Sequence, residues 1–265
     1  MRNSVIFTCV LMLALVTNAN AQTGIRPPQG WSLGFLGGAA AFSDMQRGSV
    51  RVTRPTSTGV EQREFARRVG AETSTTLAAY LAFWPSRNWG LRVHASYAPS
   101  RFETIMTEGD AEYAGMPTAS DGERLAALSI VSGDLHALFR MPTIKNRVML
   151  YGILGGGLAR YSVTSADDPV PPEAEGDFEG GVKVRPAAVL GLGAMLPLRN
   201  RSFRMHFELT NHISATPLEG GDTQTYQDGD GSVEFLPRDE PAGERRVTVV
   251  NGVRFVVGLS YSPRK

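Results

Sequence analysis

Two short stretches could carry acyl-transfer chemistry. His94-Ala95-Ser96 and His212-Ile213-Ser214 each set a histidine two residues before a serine, and Glu208 stands shortly before the second pair. A glutamate that orients a histidine, which in turn takes the proton of a serine hydroxyl, is the arrangement of an activated serine nucleophile. Two further stretches invite a ligand. Gly155-Gly156-Gly157 has the glycines of a phosphate loop, but no Lys-Ser/Thr ending and no following helix. Asp228, Asp230, Ser232 and Glu234 offer oxygens to calcium at a spacing that fails the EF-hand pattern, so a solvated loop is expected there.

The elements that hold these residues read as strands. Trp89, Leu91, Val93, Ala95 and Tyr97 alternate with Arg92, His94 and Ser96. Val131, Gly133, Leu135, Ala137 and Phe139 alternate with Ser132, Asp134, His136 and Arg140. Phe203, Met205, Phe207 and Leu209 alternate with Arg204, His206, Glu208 and Thr210, and Val253, Phe255, Val257, Leu259 and Tyr261 with Arg254, Gly258 and Ser260. Successive side chains of a strand point to opposite faces, so each segment has one greasy face and one charged face. Trp31, Leu33 and Phe35 start another strand. In the glycine-rich segments 147–163 and 182–198, Arg160, Lys183 and Arg185 suggest the polar face, whereas 72–84 leaves its parity open. Eight strands result, at 30–43, 72–84, 88–102, 124–141, 147–163, 182–198, 202–213 and 246–262.

The connections between them alternate in length. Tight links fall near 85–88, 142–146 and 199–201, and long polar stretches near 44–71, 103–123, 164–181 and 214–245. Short turns at one rim and long loops at the other are the plan of a closed antiparallel up-and-down transmembrane β-barrel. In lipid every backbone N–H and C=O must be paired, and closure leaves no open edge. Trp84, Trp89, Phe139, Phe203 and Tyr261 fall beside the short links, as an interfacial girdle would, with Tyr97 and Tyr161 at the opposite level.

The N-terminus fits export. Arg2 precedes the mostly apolar run Val5–Val16, and Ala19-Asn20-Ala21 has the form of a cleavage site, so residues 1–21 are expected to be a signal peptide and 22–265 the barrel. The sole cysteine, Cys9, falls within that peptide, leaving no disulfide or thiolate site in the mature chain. A net charge of +1 gives no bulk attraction to nucleic acid.

The run Leu150-Tyr151-Gly152-Ile153-Leu154-Gly155-Gly156-Gly157-Leu158-Ala159-Arg160-Tyr161 and the closing strand Val253–Tyr261 resemble the small outer-membrane β-barrel superfamily that includes the OmpA membrane domain, OmpW and the opacity-type proteins. The resemblance implies a non-enzymatic protein of a Gram-negative-type outer membrane, with a structural or loop-mediated role and narrow-pore permeation as a further possibility. Its partners would be the barrel-assembly machinery during biogenesis and outer-membrane lipids, including lipopolysaccharide. The chain is expected to be a monomer, with no metal or cofactor. The alternative is a lipid A-modifying barrel enzyme like the deacylases that use His-x-Ser with a glutamate. In that family Asn-Ala follows the pair, whereas Ala215-Thr216 stands here.

Strand parity decides what the polar residues do. Arg92, His94, Asp134, His136, Arg140, Arg160, Lys183, Arg185, Arg204, His206, Glu208 and Arg254 are expected to face the lumen. Eight strands leave a bore just wide enough for side chains to fill. A polar plug follows, with Asp134 and Glu208 bracing neighbouring arginines, or else a narrow anion-favouring path. Both His-x-Ser pairs fall on the lumen face, away from lipid A. Outside the bore, Arg47, Arg51, Arg54, Arg63, Arg67 and Arg68 make the first long connection basic. Asp167, Asp168, Glu173, Glu175, Asp177 and Glu179 make the third acidic, so the first could dock on its neighbours or meet lipopolysaccharide phosphates.

Overall fold

The computed structural model describes residues 29–105, 126–141, 148–165, 181–198, 202–217, 224–228, 231–237 and 249–263. The expected signal peptide, the link at 142–146, the acidic residues of the third connection and Asp230 lie outside them. The described residues form twelve strands: β1 (Gly30–Phe42), β2 (Gln46–Thr56), β3 (Gly59–Ala71), β4 (Ser74–Trp84), β5 (Trp89–Ile105), β6 (Ala126–Arg140), β7 (Met149–Ser165), β8 (Gly181–Pro197), β9 (Phe203–Ala215), β10 (Gln224–Asp228), β11 (Gly231–Pro237) and β12 (Val249–Tyr261).

Eight of them, β1, β4–β9 and β12, pair antiparallel with their barrel neighbours, and β12 returns to β1 through Leu33↔Tyr261 to Phe42↔Gly252. The β5–β6 ladder completes the ring, so the sheet closes. These eight are the strands that alternation marks in the sequence, with ends shifted by a few residues.

The first and last long connections are not irregular loops. β2 and β3 form a hairpin whose bend is set by Gly59 at φ +147°, a conformation that disfavours other residues. β3 continues the barrel sheet only through Arg68–Ala71 against Phe102–Ile105. β10 and β11 form a second hairpin, and β11 pairs with β2. The backbone of Asp228, Ser232 and Glu234 is therefore strand rather than the expected solvated loop. A flange of four strands thus stands at the rim opposite the short links. Alternation could not reveal it, because arginines and glutamates occupy both parities of 46–71.

Burial is reversed relative to a water-soluble barrel. Leu33, Phe35, Leu77, Val93, Leu135, Leu154, Leu158, Leu192, Leu209 and Leu259 lie exposed on the outer wall, while Arg92, His94, Asp134, His136, His206, Glu208 and Arg254 are buried inside. The parity left open at 72–84 is settled, with Thr76, Tyr80, Ala82 and Trp84 inward and Leu77 and Leu81 outward.

The aromatic girdle needs two corrections. Trp89, Phe139, Phe203 and Tyr261 do face outward beside the short-link rim, joined there by Trp31 and Phe83, whose rings lie 4.7 Å apart. Trp84 instead turns inward at 1% exposure and meets Tyr151 edge-on. Tyr161 is also inward, at 4% exposure, and its hydroxyl bonds to Ser214. Both follow the parity of their strands, which position near a rim does not override.

Candidate functional site in the lumen

The bore is filled in layers. Trp84, Leu138, Met149, Tyr151 and Met195 pack across it toward the short-link end. Ala40, Phe102, Leu128, Ile130 and Val250 pack across it toward the other. Between them lies a polar zone holding all four histidines of the chain.

Its lower tier centres on Glu208. Arg92 of β5 donates through Nη1 to Glu208 Oε1 of β9 at 2.5 Å, and Tyr151 Oη donates to the same oxygen at 2.6 Å. β5 and β9 are not neighbours in the ring, so this ion pair crosses the bore. Arg92 Nε donates to His136 Nδ1 at 3.1 Å, and its guanidinium lies 5.1 Å from the centre of the Tyr80 ring. His206 shares hydrogen bonds with Tyr80 Oη at 3.0 Å and Ser260 Oγ at 2.7 Å. A charge buried this far from water is tolerated only when it is paired and its remaining donors are satisfied. Arg92 is paired with Glu208, and each of its three guanidinium nitrogens has a hydrogen-bond partner.

The upper tier centres on Asp134. Ser132 Oγ donates to Asp134 Oδ2 at 3.0 Å, and the nearest nitrogens of His94, His212 and His136 stand 3.3, 3.8 and 4.0 Å from that oxygen. Arg254 of β12 reaches across to donate to Ser96, and to Ser132 at 3.2 Å. The two carboxylates differ in their surroundings. Glu208 pairs with an arginine, although from the far wall, whereas histidines surround Asp134.

Glycines make the room. Gly155 faces His136 and Gly157 faces Asp134 across the β6–β7 ladder. A Cβ at Gly155 would stand 2.5 Å from the His136 ring, and one at Gly157 2.7 Å from Asp134 Oδ1. Gly34 and Gly193 do the same for the rings of Tyr80 and Tyr151. This space for bulky neighbours is what the glycine triplet supplies.

The other sequence-marked residues divide. Arg204 is half-buried near the short-link rim and donates to Ser262 Oγ at 2.5 Å. Arg140, Lys183 and Arg185 share the inward parity but are only half-buried, and Arg185 Nε donates to the Thr216 carbonyl at 3.1 Å. Arg160 is the exception. It lies on the outer face with Leu154 and Leu158, because Ala159 and Tyr161 are the inward residues of that strand end. Tyr80, Tyr151 and Ser132 belong to the site although the sequence reading did not single them out. Parity could have marked Ser132, two residues from Asp134, and Tyr80, four from Thr76, but not Tyr151, whose inward neighbours are Met149, Ile153 and Gly155.

Both His-x-Ser pairs are inward, with His94, Ser96, His212 and Ser214 all buried. Neither serine turns its hydroxyl to the histidine of its own pair. Ser96 bonds instead to Ser132 and Arg254, and Ser214 to Tyr161.

A closed eight-stranded ring with a largely apolar exterior and buried charges inside is a wall made for lipid. The chain has the fold of a small outer-membrane β-barrel. No family model matches the sequence, and no curated protein matches it. Solved structures do. The outer membrane protein OprG from Pseudomonas aeruginosa aligns over 90% of this chain and 100% of its own, at 12% identity and TM-score 0.46. Neisserial surface protein A aligns over 88% and 97%, at 11% identity and TM-score 0.41. The outer membrane protease OmpT from Escherichia coli aligns over 92% and 99%, at 9% identity and TM-score 0.30. At these identities the likeness is one of fold.

Proposed function

We propose that this outer-membrane barrel is non-enzymatic and non-conducting, and that it acts through the surface it presents beyond the long-connection rim. The observation that carries this reading is the Arg92–Glu208 pair, which spans the bore between two apolar layers. Such a lumen has the character of a strut. Among the described residues the four-strand flange is the largest structure outside the barrel wall, and with the short links facing the periplasm it would project from the cell. It suits a structural or contact role at the surface, with lipopolysaccharide and neighbouring envelope components as partners.

The lipid-modifying alternative is disfavoured by the inward position of both His-x-Ser pairs, which an acyl chain outside the wall could not reach. Planar-bilayer recording of the purified protein tests the proposal. The expected record is a quiet baseline after insertion, and reproducible unitary current steps would overturn it.

A further inference from the structure

Four groups in the upper tier lack hydrogen-bond partners although they are buried: Asp134 Oδ1, His136 Nε2, His212 Nδ1 and Arg254 Nε. Three of them belong to metal-ligating residue types. Unpaired buried polar atoms are costly, so a group of them around one point calls for something to fill it.

We propose that His94, Asp134 and His136 form a binding site for one divalent transition-metal ion of the zinc class, with His212 placed to supply a fourth ligand. One ligand atom from each of the first three lies within 4.8 Å of the others, and all three side chains are buried. Bonds of about 2.0–2.1 Å put neighbouring ligand atoms of a tetrahedral site about 3.3–3.4 Å apart. The separations from Asp134 Oδ2 to His94, His212 and His136 are 3.3, 3.8 and 4.0 Å, so His94 already stands at ligand spacing from the carboxylate and the other two rings must close by about half an ångström. The His94 and His136 rings, with centroids 5.1 Å apart, already converge.

Imidazole with one carboxylate suits zinc, nickel or copper, whereas magnesium and calcium prefer oxygen ligands throughout. Ser132 donates to the carboxylate and orients it, while Arg92 donates to Nδ1 of His136. Arg92 can only donate, so His136 Nδ1 accepts and Nε2 carries the ring proton in the metal-free state. An ion bound at Nε2 requires the ring proton to move to Nδ1, so the contact from Arg92 gives way when the ion binds. The apolar layers above and below imply that the ion enters while the barrel is forming.

The test is to refold the full chain in detergent with Zn²⁺, remove free metal by gel filtration, and measure retained zinc by atomic emission. Folded wild-type protein is expected to hold about one zinc per chain, and loading with Co²⁺ is expected to give visible absorption of a nitrogen- and oxygen-ligated site. The His94→Gln/His136→Gln double variant should bind at least about tenfold more weakly. His206→Gln, altered in the lower tier, should retain the ion. Folded wild-type protein that retains no zinc would overturn the proposal without any variant having to fold. Equal retention by the double variant, or loss in His206→Gln alone, would also overturn it.

Discussion

Glu208 shows how one side chain can set the state of the whole bore. It accepts from Arg92 and from Tyr151, two residues on different walls, and both bonds end on the same carboxylate oxygen. Glu208→Gln keeps the shape and removes the charge, leaving Arg92 buried without its counter-ion. Breaking a buried pair costs about 3–5 kcal/mol, less if water enters. The variant should therefore unfold earlier in urea from detergent micelles, while Tyr151→Phe, which removes one donor and no charge, should cost about 1–2 kcal/mol. Equal stability of Glu208→Gln and wild type would show that the cross-bore pair does not support the fold. The sequence indicated that Glu208 faces inward, but not that its partner is Arg92. Parity gives the face of a residue, and a contact across the bore depends on the size and stagger of the ring.

At the scale of the element, alternation is what made the barrel legible. The middles of β5 and β6 can be read residue by residue, because Leu91, Val93, Ala95, Val131, Gly133 and Leu135 point outward and Arg92, His94, Ser96, Ser132, Asp134 and His136 inward. β7 was harder. Its inward face is Tyr151, Ile153, Gly155, Gly157, Ala159 and Tyr161, so it offers no charge to mark it, and the single arginine near its end points outward. β2, β3, β10 and β11 read as loops in the sequence because only short apolar pairs, such as Val50 with Val52 and Val233 with Phe235, mark them among many charged residues. Their order comes from backbone pairing with one another, which leaves no periodic trace in composition. The lipid-facing assignment is testable on β6. Leu135, 58% exposed at the middle of the strand, should accept arginine only at a cost of about 2–4 kcal/mol. Thr58→Arg at the exposed tip of the β2–β3 hairpin should change stability by less than about 0.5 kcal/mol. The two variants can be compared by folding yield into lipid vesicles, and equal yields would contradict the outward placement of Leu135.

For the whole molecule, the account rests on one reversal: the wall is greasy outside and the bore is charged inside. The three tryptophans sample both sides of that wall. Trp31 and Trp89 are 56% and 44% exposed on the outer face near the short-link rim, whereas Trp84 is 1% exposed within the bore. The direct test is fluorescence of single-tryptophan variants, with the other two positions changed to phenylalanine, reconstituted in vesicles of acyl-brominated lipid. Bromine quenches only what it approaches closely. Strong quenching of Trp31 and Trp89, with Trp84 nearly unaffected, is the result the structure predicts. Quenching of Trp84 as strong as that of Trp31, or no quenching at any of the three, would contradict the placement of the bore, the wall and the lipid together.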